Sequence, residues 1–401
     1  MSLLSEKPTR KGGRSARRAA RVNAPVIHQP ALMRNVPVYE VVNAEGVEQI
    51  HELAMRIVEN IGVDFRDAES LDIWKKTDAE IQGERVRVSR DTLMALVDQA
   101  PPEYVHHARN PERTVTVGGH SMVVSPSYGP PYIYDLEGKR RTATLVDLHN
   151  LQKLNHMASS VHIAGGPVVE PMDIPVPYRH LYMAYSGFKY SDKPIIGNVT
   201  ARERAEDTIE MCKVVFGDDF ATNNCCTTSL INANSPLVWD ATMLDALKIY
   251  AANNHAVMCS PFSMAAASTP ASNVGTMAVV TAEALSAIAF AQLVIRATGT
   301  ARGSNAVWCA GHDRCTEFRC AGTRQPGFGH RPVSRWSDGA ALRHTPPGDR
   351  QLCDLQIGRH AGCLRLDVGP VSFISGRCTV DHHGRWHDGR DTRRGLCKNR
   401  H

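Results

Sequence analysis

The sequence predicts an α/β protein in which parallel strands alternate with helices, joined to an N-terminal α+β region. Three observations carry that prediction. Four apolar runs of strand length start roughly 30 residues apart between 161 and 265, the length of a βα unit. Each run is followed by a stretch of helical character. The runs are continuously apolar rather than alternating, as expected of strands covered by helices on both faces.

Taken in order, residues 1–36 carry eight Lys or Arg and one acid, Glu6, with no interleaved aromatics. They read as a solvated, disordered basic arm rather than a surface for nucleic acid or lipid. No apolar h-region marks a signal peptide, and no run of about 18 apolar residues suggests a membrane span. Residues 37–144 read as the α+β appendage. "NAEGVEQIHELAMRIVENIGVDF" sets Val47, Ile50, Leu53, Ile57 and Ile61 on one helical face, with Asn43 as cap and Gly62 as stop. "ERVRVS" and "RTVTVGG" alternate like half-buried strands, and "MVVSPSYGPPYIYDLEGKRRTAT" runs from strand into turns.

Residues 145–296 hold the strand–helix pairs. "VHIAGGPVVE" precedes "YRHLYMAYSGFKYS", and "KPIIGNVT" precedes "RERAEDTIEMCKVVFG". "TTSLINANSP" precedes "WDATMLDALKIYAANN", and "AVMCSPFSMA" precedes "NVGTMAVVTAEALSAIAFAQLVI". Successive right-handed βα units point to a TIM (β/α)8 barrel, incomplete in this chain, with a doubly wound sheet as the alternative. Each strand ends in small or polar groups: Gly165, Gly166 and Glu170; Asn198 and Thr200; Asn232, Asn234 and Ser235; Ser260 and Pro261. Such residues also make turns, but four similar endings mark the C-terminal rim of a barrel, where its chemistry sits.

Charge divides the chain. The formal net charge is +5, yet residues 37–296 hold 21 basic against 31 acidic residues, while 297–401 hold 17 against nine. The last 105 residues contain 16 Arg and one Lys, seven of the 11 Cys, eight of the 18 His and three of the five Trp, with no sustained apolar period and no expected strand or helix. The four earlier cysteines, Cys212, Cys225, Cys226 and Cys259, are scattered as in a reduced cytoplasmic protein. Cys225 and Cys226 lack C-x-x-C spacing and read as buried thiols.

Several phrases of the body resemble the trimethylamine methyltransferase family of corrinoid-dependent enzymes. They include "HARNPERTVTVGG", "SPSYGPPYIYDLEGKRRTAT", "RHLYMAYSGFKYSDKPIIGNVTARERAEDTIEM", "SLINANSPLVWDATMLDALKIYA" and "SPFSMAAASTPASNVGTMA", covering about residues 10–296. The family's later text, of the types "SGAPxFGTPEPA" and "SKLxDxQA", is missing as written. Reading one base over, Arg314 to Arg324 permits "GAPNFGAPEPA", and Leu355 to Gly362 permits "SKLADMQA". The segment "HDRCTEFRC" therefore reads as a frameshift product and the tail 297–401 as out of frame and disordered. Zinc is the competing reading. It lacks the paired spacing of a structural site: Cys309, Cys315 and Cys320 stand at C-x5-C and C-x4-C, and His382, His383 and His387 have no matched partner motif.

The resemblance implies transfer of a methyl group from a methylated amine, either trimethylamine or a quaternary amine such as glycine betaine, to a corrinoid (cobalamin) carried by a separate partner protein. Cobalt is then the nucleophile, so no catalytic side-chain nucleophile is expected, and no corrinoid-ligating D-x-H-x-x-G is present: "DLHNLQ" ends in Gln152. No pyrrolysine stands in the in-frame part. A quaternary ammonium is held by aromatic faces and by carboxylates at a distance. Candidates are Tyr128, Tyr132, Tyr134, Trp239 and Phe262 as aromatics and Glu170 as counter-charge. Asn198, Asn232, Asn234 and Ser260 are rim groups able to orient a substrate carboxylate or line the corrinoid opening. The expected partners are the corrinoid protein and the amine, with neither nucleic acid nor membrane; a homo-oligomer is compatible. With half a barrel in frame, the chain is expected to be unstable and inactive. Two alternatives stand beside this reading. One is a non-catalytic protein with a Cys/His-rich zinc-binding tail, and the other is a different barrel enzyme such as a lyase.

Overall fold

The computed structural model describes residues 28–36, 42–135, 138–299, 378–380 and 386–388. The chain enters through a short strand, β1 (Leu32–Met33), and then helix α1 (Ala44–Arg56). Asn43 caps α1 as the sequence predicts, its Oδ1 accepting from Gly46 N at 2.9 Å. The buried stripe differs from the expected one. It runs Val47, Ile50, Ala54, Met55 and Val58, while Ile61 is exposed. The cause is a π-helical turn at Ile57–Ile61, whose wider turn carries Ile61 off the buried face before Gly62 stops the helix at φ 84°.

Strands β2 (Val63–Arg66), β3 (Glu80–Gln82) and β4 (Arg85–Arg87) alternate with helices α2 (Ala68–Trp74) and α3 (Arg90–Val97). Next come the hairpin β5 (Glu103–His106) and β6 (Val115–Gly118), the short β7 (Ser121–Met122), and the hairpin β8 (Tyr132–Tyr134) and β9 (Arg140–Thr142). This is the α+β region the sequence predicts. Its boundary at residue 144 is not a packing boundary, however. Strand β12 (Val238–Asp240), from far along the chain, pairs in parallel with β2 and completes a sheet of order β12-β2-β4-β3.

The second part alternates helices and strands: α4 (Leu145–Met157), α5 (Val176–Tyr190), β10 (Ile195–Ile196), α6 (Arg202–Phe216), α7 (Asp218–Asn223), β11 (Thr227–Ile231), α8 (Ala241–Ala252), β13 (Ala256–Cys259) and α9 (Asn273–Thr298). Strands β10, β11 and β13 form a parallel sheet in sequence order. Helices α4, α5, α6, α8 and α9 each pack on the next along that order. Sequential parallel strands with helices between them are the βα arrangement expected.

Two expectations need correction. The first of the four predicted strands, 161–170, is not a ladder strand. It lies beside β10 through one backbone bond, Ala164 N to Pro194 O at 3.0 Å, while His162 N and Ile163 N turn to Val124 O. Prolines explain this: Pro167 and Pro194 have no N–H to donate, and Gly165 takes φ 79°. Gly166 passes so near β10 that an added Cβ would meet Ile196 O at 1.8 Å. Among the described residues the strands form no closed ring, and the sequence predicts an incomplete barrel; the second correction lies in the tail. Within the tail, β14 (Cys378–Val380) and β15 (Trp386–Asp388) pair antiparallel where no strand is expected. Thr379, Val380 and Trp386 are residue types that favour strand.

The faces of the parallel sheet are divided by period 2. Ile196, Ala256 and Met258 pack with Tyr104, Val115 and Val117 of the β5–β6 hairpin, while Ile231, Val257 and Cys259 face the helical side. The largest core gathers the N-terminal sheet around α9. Phe65, Trp74 and Phe290 meet at ring separations of 5.3 to 6.0 Å. Helix α9 is long and apolar enough to cross a membrane, contrary to the sequence expectation, but 94% of its apolar window is buried within the protein. A helix that is hydrophobic all round belongs in a core, and here it does.

Candidate functional site

The ends of β10, β11 and β13 lie on one rim, and the residues after them build two polar groups. The first surrounds a cavity of about 60 Å³ lined by Tyr128, Gly129, Pro167, Glu170, Val176, Arg179, His180, Met183, Asn198, Val199, Thr200 and Arg204. Tyr128, Glu170 and Asn198, three of the ten candidates, converge here.

The Tyr128 hydroxyl donates to Gly197 O at 3.0 Å. Burial, and then the charge of Glu170, push its phenol up, so the ring stays neutral at physiological pH. Asn198 is 4% exposed. Its Nδ2 donates to His180 O at 3.3 Å and to Thr208 Oγ1 at 3.2 Å, tying α5 to α6, while its backbone carbonyl accepts from the Tyr250 hydroxyl at 2.7 Å. The amide nitrogen thus positions the wall of the cavity. Gly197 precedes it because any Cβ there would meet the Tyr250 hydroxyl at 2.4 Å.

Glu170, the expected counter-charge, has Arg179 Nη1 3.3 Å from its Oε2. Arg179 is held in turn by Ile174 O through Nε at 3.2 Å and Nη2 at 3.1 Å. His180 Nε2 stands 2.6 Å from Asp207 Oδ2. A carboxylate only accepts, so this contact fixes the proton on Nε2. Arg204 bonds the Thr200 hydroxyl. Sequence reasoning missed Arg179, His180 and Arg204. They stand on helices rather than at strand ends, and nothing in the helical period marks them.

The second group lies beyond β11 and β13. Asn234 Nδ2 donates to Asp240 Oδ2 at 2.6 Å, and its backbone bridges Phe262, which is 57% exposed. Ser260 N donates to Ile231 O at 2.8 Å, and Asn232 is half-buried. These four candidates share the rim but none lines the cavity. Trp239 does not belong to the site: it is fully buried in the main core, its Nε1 donating to Glu283 O at 3.3 Å. Being on β12 rather than at the start of α8 turned it inward. Tyr132 already has the Arg140 guanidinium 4.0 Å over its ring, and Tyr134 lies on the same short hairpin.

Glu283 is the buried acid that the sequence reading overlooked. It is the one acid in the long, mostly apolar α9, and that is the signal that could have found it, because a buried carboxylate demands partners. Its Oε1 accepts from Leu237 N at 2.6 Å and Oε2 from Ser235 Oγ at 2.7 Å; Ser235 Oγ lies 2.8 Å from Ser263 Oγ. Burial pushes the carboxyl up, against these hydrogen bonds. At the opposite ends of the strands, His106 and His255 are fully buried, their imidazoles pushed down to about 3 and about 4 by burial. Tyr104, His106 and Thr228 form one hydrogen-bonded chain there. This cluster fastens the hairpin to the sheet.

Cys225 and Cys226 are buried as expected, with thiols pushed up to about 12 by burial, and are unsuited to nucleophilic work. Among the described residues no three His, Cys, Asp or Glu are placed to hold a metal ion. The zinc candidates Cys309, His312, Cys315, Cys320, His382 and His383 lie outside the described residues, and only the backbone of His387 is described.

With this geometry in hand, likeness to known proteins becomes informative. The chain is 39% identical over 270 residues to the glycine betaine methyltransferase of Desulfitobacterium hafniense (strain Y51), covering 67% of this chain and 56% of that protein. It is 24% identical over 268 residues to the proline betaine:corrinoid methyltransferase of Eubacterium limosum, covering 63% and 54%. With the L-carnitine:corrinoid methyltransferase of the same organism the identity is 23% over 266 residues, covering 62% and 53%. The chain thus spans about half the length of the curated relatives it matches. Among solved structures, the monomethylamine methyltransferase of Methanosarcina barkeri superposes at a TM-score of 0.40 with 13% identity, over 70% of this chain and 65% of that one. The family model for trimethylamine methyltransferase matches residues 10–306, and the chain belongs to that family.

Proposed function

We propose that this chain descends from an enzyme that moves a methyl group from a methylated amine to a corrinoid carried by a partner protein, and that its parallel strands are the first half of a (β/α)8 barrel. The observation that carries the reading is the family match over residues 10–306; Tyr128, Glu170 and Asn198 after β10 line one cavity in the same stretch. The cavity, about 60 Å³, has room for a few water-sized groups. The neutral Tyr128 ring offers an electron-rich face to a cationic nitrogen, and Glu170 lies beside it to balance the charge. The corrinoid would supply the nucleophile; this chain's residues hold the amine, exclude water and fix its orientation. The three relatives act on glycine betaine, proline betaine and carnitine by their names, so a carboxylate-bearing quaternary amine is preferred here to trimethylamine. The partner protein, a cytoplasmic location and self-association belong to the same reading.

The tail expected to be out of frame from residue 297 is matched by the family model to residue 306, so we further propose that the frame changes between there and Arg314, that the barrel's second half is scrambled and that this chain is inactive. The test has two arms. Methyl transfer from glycine betaine to free cob(I)alamin is followed by absorbance with this chain and with a frame-restored protein. Activity in the restored protein alone is expected. Absence of a readable barrel continuation in the neighbouring frame of the gene, or full activity in this chain, would sink the proposal.

A further inference from the structure

Charges around the cavity are paired except one. Glu170 has Arg179 and His180 has Asp207, while Arg202, just outside, has Glu69, Glu206 and Asp245. For Arg204, the guanidinium's polar contact among the described residues is the Thr200 hydroxyl, and no carboxylate reaches it. A guanidinium has five N–H donors in a planar fork that matches a carboxylate, and four remain unused by that bond. A half-buried arginine kept in this state is set up for an anion.

The surroundings favour the same ligand. Helix α6 starts at Arg202, and its N-cap, Ala201, has no side chain to take up the first-turn N–H groups. The positive end of a 15-residue helix therefore adds to Arg204 at the wall formed by Val199 and Thr200. His180 lines the same cavity and is 7% exposed, with Nε2 committed to Asp207. Tyr128 and Glu170 supply the cation-favouring groups of the same cavity. The lining thus has groups suited to both ends of a zwitterion, whereas a simple alkylammonium would leave Arg204 unanswered.

We infer that Arg204 is the specificity-determining residue that reads a substrate carboxylate, so that the site takes zwitterionic quaternary amines and discriminates against cationic ones of the same size. This rests on the assignment of the cavity to methylated amines. Binding of glycine betaine, its methyl ester, choline and trimethylamine to the full chain is measured by calorimetry. The same titrations are run on Arg204→Gln and Arg204→Lys, and thermal melting verifies that each variant folds. The wild-type chain should bind glycine betaine at least about tenfold more tightly than the ester or choline, the scale of one charge-assisted hydrogen-bonded pair. Arg204→Gln should remove that preference by weakening betaine alone, and Arg204→Lys should retain part of it. The ester comparison needs no variant, so it decides the matter even if both substitutions unfold the chain. A betaine preference that survives Arg204→Gln, or equal binding of betaine and its ester, overturns the inference and leaves the methylated-amine reading standing. No binding of any of the four overturns both.

Discussion

The Lys248 ammonium lies 2.8 Å from Asp67 Oδ2, joining residues 181 positions apart. Asp245 Oδ1 stands 3.0 Å from the same ammonium, and Glu69 Oε2 at 2.5 Å. The lysine is 5% exposed and ties α8, in the βα part of the chain, to α2 of the N-terminal part. Together with β12 pairing on β2, it makes the two regions one folding unit.

Removing that ammonium should therefore loosen the whole molecule. Lys248→Met is expected to cost about 1–3 kcal/mol, less than the roughly 3–5 kcal/mol for a fully buried pair because Glu69 is largely solvated. The pH dependence has a definite sign. Burial pushes the Asp67 carboxyl up, but the Lys248 and Ser70 hydrogen bonds outweigh it and hold the group below its ordinary value; Lys248 likewise lowers Glu69. Depressed carboxyls give stability that is present above the ordinary carboxylate range and is lost as pH falls through their lowered values. Urea melts between pH 6 and pH 3 should show a smaller acid loss in Lys248→Met than in wild type; equal slopes would refute the coupling.

Glu283 makes the opposite prediction for its own titration. Its folded carboxyl is raised by burial, so its contribution favours the folded state at low pH and declines as pH rises through the ordinary carboxylate range toward the raised value. Glu283→Ala would leave Leu237 N without its acceptor and Ser235 Oγ with Ser263 alone, at about 1–3 kcal/mol. Glu283→Gln keeps one acceptor and should cost less at pH 7. Melting midpoints that rank the two variants the other way would show that the carboxylate does not hold this loop.

Tyr128 separates ring from hydroxyl. Tyr128→Phe loses the bond to Gly197 O and should destabilise by about 1 kcal/mol while keeping the aromatic face. Tyr128→Ala should weaken binding of tetramethylammonium by roughly 1 kcal/mol beyond the effect of Tyr128→Phe. Equal losses in both variants, read by titration, would exclude the ring as the cation's platform.

The cysteine pair can be checked without mutation. With thiols pushed up to about 12, Cys225 and Cys226 hold thiolate on the order of one part in 10⁴ at pH 8. Iodoacetamide should leave the peptide containing them unmodified in the native chain and label it fully in denaturant, as read by mass spectrometry. Native-state labelling at the denatured rate would contradict their burial.

How far the sequence could carry this account depends on the range of the interaction involved. Local chemistry was legible. Asn43 caps α1, the strand–helix rhythm from 176 to 298 matches α5 through α9, and the apolar runs became β10, β11 and β13. Tyr128, Glu170 and Asn198 come from three separate segments and do line one cavity. Each follows from periodicity, caps and strand endings, which act over a few residues. Tertiary contact decided the rest. Whether 161–170 could ladder depended on prolines meeting across strands; whether Trp239 faced a ligand depended on β12 leaving for the other sheet. The partners of Glu170, Asn198 and Arg204 were set by α5 and α6 packing side by side. A side chain's type is written in the chain, but the charge it meets is fixed only when distant segments close on it.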